Sequence, residues 1–228
     1  MYQPMLYLHW KQVRMVLIPF IVASFGLPLL AIQGVGIATG FDMPSMRVYQ
    51  YMSEAQFWLP FFPALAALIG VTLALTAWNW DHRYNHVYAL SLPLKRSEYT
   101  MLKMGAGVTL ALLPVAAFWI GSHLAAATVQ LPAGLQAYPN HIALRFFMAV
   151  LISYALLFAM AAGTMRTTLY IVSGITLFVV GGNLMNDFLA NYYDFFTRVN
   201  VVEQSVYFLL RAPGPFAVFT GNWNLIDV

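Results

Sequence analysis

The chain contains no cysteine, so disulfides, thiolate metal sites and a cysteine nucleophile are all excluded. Charge is nearly as scarce. Only 8% of the 228 residues are Asp, Glu, Lys or Arg, against roughly 25% in a soluble domain, which excludes an ordinary water-soluble fold. The net charge of +3 is small and dispersed. No Lys/Arg-dense face is available to neutralise phosphates, so nucleic acid is not an expected partner. The three lysines, Lys11, Lys95 and Lys103, do not close a G-x-x-x-x-G-K loop. The chain therefore carries no phosphate-binding loop of its own, and any nucleotide chemistry must belong to a partner.

Apolar residues are abundant instead. They make up 61% of the chain and include 17 Phe, 6 Trp, 13 Tyr and 12 Met, a composition that excludes disorder and fits a bilayer. A membrane-crossing helix needs about 20 apolar residues, so this length accommodates five or six spans and short loops. Because a charge at the bilayer centre is costly, the gaps between charged residues mark the spans. Those gaps are Met15 to Phe41, Ala55 to Trp80, Met104 to Leu144, Phe146 to Met165 and Thr167 to Asn186, the third reading as a helix to about Val129 and then a loop marked by Gln130, Pro132, Gly134, Tyr138, Pro139 and Asn140. Arg166 alone separates the last two, which predicts a tight helical hairpin. Apart from His123, no ionisable residue is expected inside a span, which argues against a proton path. Pro19, Pro28, Pro60, Pro63 and Pro114 predict kinks. Gly34, Gly36, Gly70, Gly105 and Gly107 allow close helix contacts.

Seven basic residues (Lys11, Arg14, Arg83, Lys95, Arg96, Lys103, Arg166) fall on one side of this arrangement and Arg47, Arg145 and Arg198 on the other. By the positive-inside rule the N-terminus is cytoplasmic. Trp10, Trp58, Trp78, Trp80, Tyr192 and Tyr193 suit interfacial belts. The first apolar run is too long for a signal peptide and reads as a retained helix. Its forerunner, residues 6–14 with Met15, reads as a short amphipathic helix lying in the interface. Residues 187–228 read as an extracytoplasmic loop followed by two short apolar segments, Gln204 to Leu210 and Phe216 to Ile226, divided by Arg211 to Pro215. The expected fold is an all-α membrane protein in one domain, residues 1–228. It is a polytopic bundle with five transmembrane helices and a C-terminal outer-leaflet re-entrant hairpin or incomplete sixth span.

His82 and His86, four apart on a helix, have the spacing of a histidine box, but His9, His123 and His141 form no second box. Two exposed polar residues on a cytosolic helix are the simpler account. Thr72, Thr76, Ser153 and Asn183 are the polar positions that could line a largely apolar path for an amphipathic or lipid-like substrate.

Residues 81–97 carry the most information. Asp81 leaves the second span, a mixed-polarity stretch follows, and then come Ser91-Leu92-Pro93-Leu94-Lys95-Arg96, with Tyr99 and Lys103 a turn apart at the start of the third. Ser97 is placed to cap that helix and Glu98 to favour its first turn. This pattern resembles the membrane subunits of ABC-2 type exporters, in which an acidic residue leaving span 2, a short helix, an "sLPlsR" segment and a Lys entering span 3 recur. The resemblance departs at Tyr84, Asn85 and His86, where the family often has Glu-x-Gly, and in span number, which is six in the family. It implies a coupling helix, Asp81 to Leu92, on which a separate ATPase docks, with Asp81, His82, Arg83, His86, Leu92, Pro93, Lys95 and Arg96 at the contact. It further implies no cofactor in this chain and ATP with Mg on the partner ATPase. A second permease copy or homologue and membrane lipids would complete the assembly in a bacterial cytoplasmic (inner) membrane. Two other readings stay open: a non-transporting membrane scaffold with the same fold, and a membrane enzyme using His82 and His86.

Overall fold

The computed structural model describes residues 2–33, 57–83, 95–129, 131, 135–163, 165–190, 200–211 and 214–227. Almost all are helical. In chain order the elements are α1 (Tyr2–Gln33), α2 (Phe61–Arg83), α3 (Arg96–Thr128), β1 (Gln136–Ala137) and α4 (Pro139–Ala162). After them come α5 (Met165–Thr176), a π-helical segment (Leu177–Gly181), α6 (Gly182–Ala190), α7 (Val201–Leu210), α8 (Ala217–Thr220) and β2 (Ile226–Asp227). Among the described residues five helical runs are long and apolar enough to cross a membrane: Tyr2–Ile32, Phe61–Arg83, Arg96–Thr128, Pro139–Ala162 and Leu169–Asn186. The protein is an all-α, multi-pass membrane protein, as its composition requires.

The chain divides into two compact units, Met1–Phe158 with Asn222–Val228, and Ala159–Gly221. In the first, α1 packs along α3 more extensively than any other pair of helices. Small residues let backbones approach, as is usual where helices associate without a hydrophobic driving force. A Cβ added at Gly70 of α2 would lie 2.6 Å from the Ser153 side chain and 2.7 Å from the Val150 carbonyl of α4. At Gly107 it would strike the Tyr154 ring, and at Gly121 the Phe25 carbonyl of α1. Gly121 was not among the glycines expected at contacts, and Gly105 meets only Tyr2 at ordinary distance. Gly34 and Gly36 lie outside the described residues. Between these approaches sits an aromatic centre in which Phe118 stacks on Phe146 at 4.0 Å and Phe62 meets Phe118 edge-on.

The same unit is closed by the C-terminal tail. β2 pairs antiparallel with β1, setting Gln136 against Asp227 and Ala137 against Ile226. The Tyr138 amide donates to the Leu225 carbonyl, and the Arg145 guanidinium donates to the Asn222 carbonyl. Trp223, 3% exposed, lies parallel to Phe62.

In the second unit, α5, the π segment and α6 run on without a break. Asn200 caps α7, its Oδ1 accepting from the Glu203 amide while its Nδ2 donates to Asn183 Oδ1. After α7 the chain turns at Arg211, whose amide donates to the Tyr207 carbonyl, and the Phe216 amide returns to the Leu209 carbonyl.

Several expectations are corrected. Residues 6–14 are not a separate helix but the opening turns of α1, because nothing in Leu6 to Met15 breaks the helical backbone. Proline 139 opens α4 instead of lying in a loop, its fixed φ and missing N–H suiting a first helical turn. Helix α6 continues through Asp187 to Ala190, and Glu203 lies in the first turn of α7, where acidic residues favour the helix N-terminus. The apolar run is divided, with α7 ending at Leu210 and the next helical turn beginning at Ala217. Its second half, however, is a single helical turn, Ala217–Thr220, followed by irregular chain and β2, because the tail satisfies its backbone on β1. Ser97 is not a cap. Lys95 holds the cap position with extended backbone and no side-chain bond, which leaves Ser97 inside α3.

Candidate functional site

The second span does not stop short of its acidic residue. Helix α2 runs to Arg83 and α3 begins at Arg96, so both Asp81 and Lys103 lie within helices, and both are buried at 3% and 5% exposure. The two charges expected at the ends of spans 2 and 3 are thus buried inside the helical bundle. A buried charge demands a partner, and each supplies the other.

Tyr99 and Lys103, four apart on α3, share one face. Trp78 and Asp81, three apart on α2, share another. Where the faces meet, Lys103 Nζ donates to Asp81 Oδ2 at 2.5 Å. The Tyr99 hydroxyl lies 3.1 and 3.0 Å from the two oxygens of the same carboxylate. The ammonium also lies 3.4 Å from the Tyr99 hydroxyl and 4.5 Å over the Trp78 ring. Carboxylate, phenol and indole together replace most of the hydration shell that the ammonium loses on burial. Trp78 is in turn held against Phe158, ring centroids 5.2 Å apart.

A third helix reaches this cluster. Met5, Leu8, His9 and Gln12 of α1 line a small cavity with Ala77, Asp81, Tyr99 and Lys103. His9 is 3% exposed, and its Nε2 has no hydrogen-bond partner. Sequence reasoning passed over it as part of an interfacial stretch. The usable signal was Lys103 itself, since a lysine inside an apolar helix asks which bases on other helices can face it.

The remaining expected site residues fall as follows. His82 is half-buried with its ring 6.4 Å from that of Trp78, and Arg83, Lys95 and Arg96 are exposed. His86, Leu92 and Pro93 lie outside the described residues. The Thr76 hydroxyl donates to the Thr72 and Leu73 carbonyls of its own helix. Ser153, expected along a pathway, is buried in the seam where α4 meets Gly70, its hydroxyl donating to the Ala149 carbonyl. Asn183 belongs to the second unit, where it donates to the Val179 carbonyl and accepts from Asn200. His123 shares the Asn140 side-chain oxygen with Trp119. Among the described residues no three His, Asp or Glu side chains converge as metal ligands.

Compared with models of known families, with curated proteins and with solved structures, the chain matches none.

What the arrangement does is structural: it pairs a buried carboxylate with a buried ammonium across two helices. Asp81 lies in the last turn of α2 and Lys103 in the second turn of α3, so the ion pair ties these two helix ends together.

Proposed function

We propose that this chain is the transmembrane subunit of an ABC-2 type exporter of a bacterial cytoplasmic membrane. It moves an amphipathic or lipid-like substrate with ATP and Mg held by a separate ATPase and works beside a second permease copy or homologue. One observation supports the reading above the others. Asp81, Tyr99 and Lys103, three of the residues on which the resemblance rests, form one buried cluster although they are 18 and 22 positions apart from Asp81. A chain with no phosphate-binding loop that ties together the bases of two long helices around an 11-residue segment, residues 84–94, has the parts needed to receive a push from outside the membrane. The segment from Asp81 to Leu92 is the docking site in this reading, and the clamp carries its displacement into α2 and α3.

Tagged permease, purified from its native membrane, should bring down a P-loop ATPase. Reversing the charge at Arg83 together with a bulky apolar replacement at Ala89 should lower that recovery while membrane insertion is retained, because both positions lie in the docking segment and outside the apolar runs. Recovery of no ATPase with the unaltered chain would turn the reading toward a scaffold.

A further inference from the structure

Lys103 has two bases in its buried surroundings and uses one. The Asp81 carboxylate holds the ammonium at 2.5 Å. The His9 imidazole lines the same cavity, 3% exposed, with its Nε2 unbonded. A neutral imidazole has one N–H donor and one lone-pair acceptor, and in the tautomer protonated on Nδ1 the unbonded Nε2 is the acceptor. An orphaned polar atom in a packed interior is costly, and where one persists it calls for a reason. Here the reason lies in the neighbouring charge. A joint that must open needs a second seat for the ammonium in this cavity, whose remaining lining is Met5, Leu8, Ala77 and the neutral Gln12, since separating a buried pair strands both ions.

We infer that His9 is the standby partner of Lys103, so that the clamp has two positions. In one the ammonium sits on Asp81 and α3 is tied to α2. In the other it sits on His9 Nε2 and α3 is tied to α1, while Asp81 keeps the Tyr99 hydroxyl. The transfer moves one hydrogen bond and no proton. Lys103 stays an ammonium, His9 stays neutral, and the flexible four-carbon stem of the lysine spans the change. Two discrete seats for one charge make a bistable element, which is what converts a small displacement into a switch. This inference rests on the proposed coupling role, since that role supplies the force that opens the clamp.

The cysteine-free chain permits a direct test. Spin labels at Asn79→Cys on α2 and Met101→Cys on α3, both exposed positions, report the separation of the two helix ends by pulsed electron resonance. The assay uses the permease purified with its ATPase, with and without a non-hydrolysable ATP analogue and magnesium. With His9 present the distance distribution should shift when nucleotide is added, and His9→Gln, which keeps an acceptor, should preserve the shift. His9→Leu, and His9→Met as a second apolar replacement of different shape, should recover the ATPase normally yet stay at the nucleotide-free distance. A full shift in both apolar variants overturns the standby role and leaves the exporter reading intact. An unaltered permease that binds its ATPase but shows no shift overturns the two-position clamp. Failure to recover any ATPase removes the exporter reading, and this inference falls with it.

Discussion

Lys103 and Asp81 lie 22 residues apart in sequence and 2.5 Å apart in space, and each is the reason the other can be buried. The pair joins the end of α2 to the start of α3, and both side chains are nearly inaccessible. Its consequences are measurable without knowledge of the substrate.

Removing one partner should harm the protein more than removing both. Asp81→Asn or Lys103→Met alone should cost about 3–5 kcal/mol, because an uncompensated buried charge remains, while the double variant should cost clearly less than the sum. Unfolding in mixed micelles measures all three. Additive losses would mean that the two charges do not depend on each other.

Glycine positions should separate by what faces them. Gly70→Ala pushes a Cβ into the α4 backbone and should cost about 1–3 kcal/mol as an overpacking change, whereas nothing lies within 4 Å of the equivalent atom at Gly26. Gly26→Ala should therefore be neutral or stabilising by up to about 1 kcal/mol, through helix propensity. Melting temperatures of the two variants in one detergent compare them directly, and equal effects would contradict the α2–α4 seam.

The tail should behave as core. Trp223 is buried against Phe62 beneath Arg145, so Trp223→Ala should destabilise by about 3–5 kcal/mol, the range for large aromatic deletions. A loss below about 1 kcal/mol would show that β2 and its neighbours are a loose appendage.

The distribution of basic residues predicts sidedness. A single cysteine at Asn85 should react with a membrane-impermeant maleimide only after the cytoplasmic face is opened, and one at Gln136 should react in intact cells. Labelling of Asn85 from outside would reverse the topology and remove the docking proposal with it.

The amino-acid sequence by itself determined the class of the protein and most of its spans. Charge scarcity and uninterrupted apolar runs leave helices as the economical solution in a bilayer, because every backbone group must be satisfied within its own segment. The break at Arg211 to Pro215 was legible for the same local reason, since proline cannot continue a helical ladder. Residues 81–103 were legible as a pattern, yet Asp81 and Lys103 were read as separate charges at the ends of spans 2 and 3, because nothing local pairs them. Only the tertiary structure could decide otherwise. Whether Asp81 can be buried depends on Lys103, Tyr99 and Trp78 arriving at one point from two helices, and no local window contains that information. His9 was hidden further still, because its environment is assembled from a third helix. The tail is similar: Trp223 is buried against Phe62, and it is brought there by the pairing of residues 226–227 with 136–137, some ninety positions earlier. Local periodicity specifies which segments become helices, but long-range packing specifies which of their polar atoms find partners, and in this protein the candidate site consists of such atoms.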